Sequence, residues 1–170
     1  MMMGKDLRNK WIVCLADGRK LGEIKDVYLD AQATQVVAVL TGKEGVLKPK
    51  AVGFERSTIQ VFGIDVWLSP ASGKLVHVEE VPNADSFVLM GDLQGREVQT
   101  DGGTKIGTIG DVLLDREARV VGFTLSRVHV QGPLQEKKSL ARAAITNLGD
   151  KKLPVIASLT LAETLNLPEG

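Results

Sequence analysis

The sequence predicts an all-β protein that consists of two small β-barrels in tandem and a short C-terminal helix. First, the segment LGEIKDVYLD at residues 21–30 recurs eighty-five positions later as IGTIGDVLLD at residues 106–115. Second, the apolar segments are short and valine-rich and alternate with turn signals, a pattern typical of small barrels and sandwiches. Third, aromatic residues make up only 4 % of the chain, so Val, Leu and Ile must fill the core.

The similarity between the two segments extends along most of the chain. Four blocks of residues recur in the same order, which indicates a tandem duplication. We place the first repeat at residues 1–82 and the second at residues 83–170, with a Val-Pro-Asn-Ala-Asp linker at the boundary. The recurring residues include Asp6, Val36, Val37, Arg56 and Ile59, which correspond to Asp92, Val120, Val121, Arg142 and Ile145.

The duplicated segment breaks the alternation expected of a regular strand. Ile24 is apolar, but the next apolar positions are Val27 and Leu29, so the inward-facing parity changes between them. The second repeat has the same break and carries Gly110 at that point. A β-bulge has this effect, because one extra residue redirects the side chains that follow it.

The other polar and glycine positions of the segment are expected to have structural roles. The aspartates at the bulge are predicted to accept backbone N–H groups that the bulge leaves unpaired. The first glycine of each segment is predicted to follow a turn that needs a permissive backbone. The second aspartate of each segment is predicted to start a hairpin turn. This bulge-and-turn motif consists of Gly22, Asp26, Asp30, Gly107, Gly110, Asp111 and Asp115.

Both repeats place a glycine before an Asp-Val pair and a second aspartate, and a Val-rich strand and an apolar–Gly pair follow. This pattern resembles the PRC-barrel family over residues 4–75 and 87–155. The resemblance implies a compact barrel in each repeat and a role in docking to other proteins. The family includes the cytoplasmic domain of the photosynthetic reaction-centre H subunit and the C-terminal domain of a ribosome maturation factor. We expect this chain to have neither the membrane helix of the former nor the different N-terminal barrel of the latter.

We therefore expect a non-enzymatic protein-binding or scaffold module with no catalytic residue, cofactor or metal. The alternatives are a ribosome- or RNA-associated assembly factor and an accessory protein of a photosynthetic or other membrane complex. A nucleic-acid partner is disfavoured, because the 21 basic and 21 acidic residues balance in number. His77, His129 and Cys14 do not have the spacing of metal ligands. A homodimer remains open.

Candidate contact residues come from three features. Trp67 and Trp11 are candidate partner-binding residues, because exposed tryptophans often anchor interfaces, although a core position is the favoured alternative for Trp67. The loops at residues 42–50 and 131–139 occupy the same place in the two repeats but differ in sequence, as binding loops on a shared scaffold do. A single small barrel would be only marginally stable, because it buries too small a share of its surface. We therefore expect side-by-side docking around a pseudo-two-fold axis, with the groove between the barrels as the contact surface.

The chain ends and cellular location are predicted from apolar patterning. Residues 158–167 are predicted to form a short helix that begins with a Thr160 cap and presents Leu161 and Leu165 on one face. No apolar run approaches the ~20 residues of a membrane span, and the N-terminus lacks signal-peptide features. We expect a cytoplasmic protein without a transmembrane segment. Peripheral association with a membrane complex remains open.

Overall fold

A computed structural model describes residues 1–70 and 74–169 and shows a mostly β chain with short helices. The strands up to the linker are β1 (Met2–Met3), β2 (Trp11–Cys14), β3 (Lys20–Glu23), β4 (Asp26–Leu29), β5 (Val36–Glu44), β6 (Lys50–Glu55), β7 (Val61–Phe62), β8 (Val66–Ser69) and β9 (Val76–His77). The later strands are β10 (Val88–Leu89), β11 (Glu97–Gln99), β12 (Lys105–Leu114), β13 (Val120–Val128), β14 (Ser139–Ala141), β15 (Ile145–Asn147) and β16 (Val155–Ala157). The α-helices are α1 (Gly4–Leu7), α2 (Met90–Leu93), α3 (Pro133–Lys137) and α4 (Leu159–Thr164).

The two repeats use equivalent pairings but divide their sheets differently. The second repeat forms one sheet in the order β14-β13-β12-β11-β16-β15. The strands of the first repeat lie in two sheets, because its chain is not extended between β3 and β4. One sheet has the order β10-β4-β5-β6-β9 and includes β10 of the second repeat, and the other has the order β3-β2-β8-β7. In the second repeat the same region is the continuous strand β12, whose pairing with β13 shifts between Ile109 and Asp111. Among the described residues, these strand paths are open at their ends.

A single hydrophobic cluster runs through both repeats. Its largest fully buried side chains are Trp67, Phe54 and Phe123, and Val, Leu and Ile supply most of the rest. Because the cluster is shared, each repeat covers apolar surface that the other would expose alone. This continuity favours one cooperative unit over two independently stable ones.

The C-terminal helix begins at a different residue from the one predicted. Ser158, not Thr160, caps α4, and its hydroxyl accepts the N–H of Leu161 at 3.3 Å. Ser158 is extended and immediately precedes the first helical residue, which is the position from which a side chain reaches the free N–H groups of the first turn. Helix α4 packs beside α3, and Lys137 Nζ donates to the carbonyl of Glu163 at 2.7 Å.

Candidate docking site

The repeats exchange their first strands. Strand β1 of the first repeat pairs with the end of β12, and Met2 lies opposite Leu114. Strand β10 of the second repeat pairs with β4, and Val88 lies opposite Leu29. Each repeat therefore extends the sheet of the other, and these contacts are reciprocal, as a pseudo-two-fold arrangement requires.

The bulge aspartates join the repeats in the same reciprocal way. Each carboxylate accepts the N–H of the next residue in its own strand at 2.8 Å. The other oxygen of Asp26 accepts the N–H of Gly91 in α2 at 3.3 Å, and that of Asp111 accepts the N–H of Lys5 in α1 at 3.1 Å. Both aspartates are buried, so these bonds replace water that the carboxylates have lost. The two carboxylates therefore hold the opposite helices against their strands.

Asp26 and Asp111 have different polar neighbours at equivalent positions. Arg8 Nη2 lies 3.6 Å from Asp26 Oδ2. At the position equivalent to Arg8, Gln94 donates its Nε2 to Asp111 Oδ1 at 3.5 Å. Burial raises the pKa of Asp26, although its hydrogen bonds and Arg8 oppose that rise. The Asp26 contact therefore includes a partly desolvated charge.

Two arginines that recur between the repeats donate hydrogen bonds to the hairpin turns of the opposite repeat. Arg56 donates to the carbonyl of Ala118 at 3.3 Å and also to that of Glu117. Arg142 donates to the carbonyls of Gln32 at 2.8 Å and Ala33 at 3.2 Å. Desolvation lowers the pKa of both guanidinium groups. The sequence showed that these arginines recur, but their acceptors lie so far away along the chain that no local pattern indicated their role.

Each of these two hairpin turns contains an alanine in an unusual backbone conformation. Ala33 and Ala118 are fully buried and have φ values of 50° and 56°, in the left-handed region that most residues avoid. Asp30 starts one turn and accepts the N–H of Thr34 at 2.6 Å, while Asp115 starts the other and accepts the N–H of Arg119 at 2.9 Å. We call the strand exchange, the aspartate contacts and the arginine contacts together the seam.

The glycines of the bulge-and-turn motif lie where neighbouring atoms leave little room for a side chain. Gly22 and Gly107 do not have positive φ themselves, and the left-handed glycines of the turns before them are Gly18 and Gly103, with φ values of 72° and 87°. A Cβ at Gly107 would lie 2.3 Å from the Arg127 carbonyl oxygen, and one at Gly22 would lie 3.1 Å from Thr41 Cγ2. At Gly110, where the β12–β13 register shifts, a Cβ would lie 2.8 Å from Thr124 Oγ1.

The two tryptophans lie in different environments. Trp67 is fully buried and packs edge to face with Phe62 at 4.8 Å between ring centres, so it offers no surface to a partner. Trp11 is half-buried, and Lys20 Nζ lies 4.5 Å from the centre of its ring. Within residues 1–70 and 74–169, no group of three or more His, Cys, Asp or Glu side chains has a geometry that would hold a metal ion.

Several concave surfaces lie along the seam. The largest of those described has a volume of about 610 Å³ and lies between the first repeat, the linker and the start of the second repeat. Its lining is mainly apolar, with charged groups at the edge, and the Arg56 guanidinium lies 4.9 Å from the Phe62 ring centre. We call it the seam groove, defined by Val37, Glu55, Arg56, Phe62, Val81 and Phe87.

The variable loops form two different structures at the same place in the repeats. In the first repeat, β5 and β6 are joined by residues 45–49, which we call the hairpin tip. Val46 and Leu47 at this tip are each 96 % exposed. In the second repeat the equivalent loop contains α3, whose Leu134 is fully buried.

The PRC-barrel domain model matches residues 4–66 and 86–156 of the chain. These two segments cover more than half of its length, so the protein belongs to the PRC-barrel family and contains the domain twice. The predicted family and tandem duplication are thus confirmed. No curated protein matches the sequence. Among the described residues, no helix has the length and apolarity needed to cross a membrane.

Proposed function

We propose that this protein is a non-enzymatic scaffold that binds a partner protein in the seam groove. In this proposal each repeat acts as a closed barrel, the seam fixes the two barrels as one rigid body, and the scaffold works in the cytoplasm without a cofactor. The observation that carries the proposal is the groove itself, an apolar concavity of about 610 Å³ with charged groups at its edge.

The composition of the groove supports a protein ligand. Specific protein interfaces combine an apolar centre with a polar rim. Val37, Phe62 and Phe87 supply an apolar floor, while Glu55 and Arg56 supply charges at its edge. An extended or helical peptide segment with one or two apolar side chains suits a surface of this size and character.

The seam supports the non-enzymatic part of the proposal. Asp26 and Asp111 are buried, and their carboxylates accept backbone N–H groups from both repeats. Arg56 and Arg142 donate to backbone carbonyls. The polar residues that recur between the repeats are therefore engaged in holding the chain together, whereas acid–base catalysis needs such groups directed at a substrate.

The test is a tagged pull-down from the native host's lysate, with and without nuclease, followed by mass spectrometry. Val37→Asp places a charge on the half-buried floor of the groove, and Val121→Asp makes the same change at the equivalent position of the second repeat. We expect a nuclease-resistant protein that Val37→Asp loses and Val121→Asp retains. Equal capture by wild type and Val37→Asp would contradict the proposal. Capture of ribosomal proteins that nuclease abolishes would instead favour the RNA-associated assembly factor.

A further inference from the structure

The hairpin tip projects from the body of the first repeat. The β5–β6 ladder starts in the core, where Val39 pairs with the buried Phe54, and it continues outward to the pair of Glu44 with Lys50. Every residue from 43 to 50 is exposed. The paired strands therefore hold Val46 and Leu47 in water at the outer end of a defined hairpin, where both apolar side chains can be buried by a ligand without a change in the fold.

The charged side chains around the tip are mostly lysines. Lys48 is the only charged residue of the tip, and it directly follows Leu47. At the base of the tip, Lys50 Nζ pairs with Glu79 at 2.6 Å, and Glu44 lies 3.9 Å from His77 Nε2. Neither Lys43 nor Lys48 has an ion-pair partner in the part of the chain that the structure describes. Residues 43–50 carry three lysines and one glutamate, so the tip and the strand ends beside it are positive on balance.

We propose that the hairpin tip binds the surface of an anionic lipid bilayer. In this mode Val46 and Leu47 enter the boundary between headgroups and acyl chains, and Lys43 and Lys48 lie against lipid phosphates. The inference goes beyond the proposed function, because it uses a surface that is separate from the seam groove. It gives the scaffold a reversible attachment to a membrane while the groove remains free.

The size of the tip favours a bilayer over a protein groove as the ligand. A stable protein interface buries about 1,200–2,000 Å² in total, far more than two aliphatic side chains provide. A bilayer has no such minimum, because insertion of a few apolar side chains and the attraction of nearby lysines add to each other. Two aliphatic residues and two lysines give weak attachment, which suits a protein that associates reversibly.

Co-sedimentation of the purified full-length protein with lipid vesicles tests this proposal. The vesicles are phosphatidylcholine alone or phosphatidylcholine mixed with phosphatidylglycerol. The test variants are Val46→Ser/Leu47→Ser and Lys43→Glu/Lys48→Glu. The matched control is Lys152→Glu/Leu153→Ser, which removes an exposed Lys–Leu pair from the second repeat. Thermal melts establish that all the variants fold, as expected for exposed positions.

We expect wild type to bind the mixed vesicles and not pure phosphatidylcholine. Each tip variant should reduce partitioning by about tenfold or more, whereas the control should bind like wild type. The proposal is overturned if wild type does not bind the mixed vesicles, if it binds both kinds equally, or if the control loses as much binding as the tip variants. The vesicles contain no protein, so failure here leaves the pull-down result for the seam groove unaffected.

Discussion

The seam and the two variable loops show opposite relations between duplication and structure. At the seam, residues that recur in both repeats make equivalent contacts in opposite directions, as Asp26 with α2 and Asp111 with α1 show. At the loops, unrelated sequences give an exposed hairpin tip in one repeat and a packed helix in the other. The recurring residues hold the molecule together, and the residues that differ leave one repeat with a projecting surface.

The largest expected effect comes from removing both seam aspartates. Asp26→Ala/Asp111→Ala should lower the free energy of unfolding by about 3–5 kcal/mol, because each loss costs about 2 kcal/mol and the contact of Arg8 with Gln94, which links the two carboxylates, couples them. Each single substitution should cost about half of this amount. Urea unfolding checks the values, with Asp101→Ala as a control for the removal of an exposed acid. A marked difference between the two single variants would show that the seam is not energetically reciprocal.

The next largest effect is a difference in stability between substitutions in the two variable loops. Leu134→Ala in the second repeat should cost about 3 kcal/mol, because the side chain is fully buried and its truncation leaves a cavity. Leu47→Ala at the hairpin tip should change stability by less than about 0.5 kcal/mol, since that side chain is already in water. Chemical unfolding of the two variants tests this contrast, and a large loss for Leu47→Ala would mean that the tip has a structural role.

A smaller effect is expected at the arginines. Arg56→Gln and Arg142→Gln should each cost about 1–2 kcal/mol, because the carbonyls of the opposite turn lose charged donors. Arg127→Gln serves as the control, since Arg127 is exposed and its side chain makes no hydrogen bond or ion pair among the described residues. Unfolding midpoints of the three variants measure the difference in stability. A loss of stability in only one of the two seam-arginine variants would show that the two arginine contacts are not equivalent.

The smallest expected effect is a pH dependence of the stability that comes from Asp26. Burial raises the pKa of Asp26 above its usual 3.8, so ionisation of this group disfavours the folded state. The stability that protonated Asp26 contributes to the folded state is fully present below pH 3.8. It is lost as the pH rises through the pKa of Asp26 in the folded state. The stability of wild type relative to Asp26→Asn should therefore increase as the pH falls from neutral to below 3.8. Unfolding experiments across this range test the sign, and an increase with rising pH would contradict it.

The sequence was informative where the determinants are local. The duplication and the family follow from short motifs that lie in order along the chain, and both are confirmed. The change of alternation indicates an irregularity at Gly110, where the register of β12 and β13 does shift. Asp30 is followed within five residues by the N–H groups that it accepts, so a turn role is readable from spacing alone.

The sequence was uninformative where the determinants are distant along the chain. The N–H group that Asp111 accepts from α1 lies 106 residues away, and Arg142 reaches a carbonyl 110 residues away. Only the recurrence of these residues signalled a shared role. The reason for Gly107 was also hidden, because the carbonyl that excludes a side chain there belongs to the neighbouring strand. Helix α3 was missed because its stability depends on burying Leu134 against the rest of the second repeat.

Hydrogen exchange at the amides of Lys5 and Gly91 tests the seam most directly, since these are the two N–H groups that the aspartates accept from the opposite repeat. In the wild-type protein both amides should be protected. Asp111→Ala should accelerate exchange at Lys5 but not at Gly91, and Asp26→Ala should do the reverse. Rapid exchange at both amides in the wild type, or a response at the wrong helix, would contradict a seam made of recurring residues acting in opposite directions.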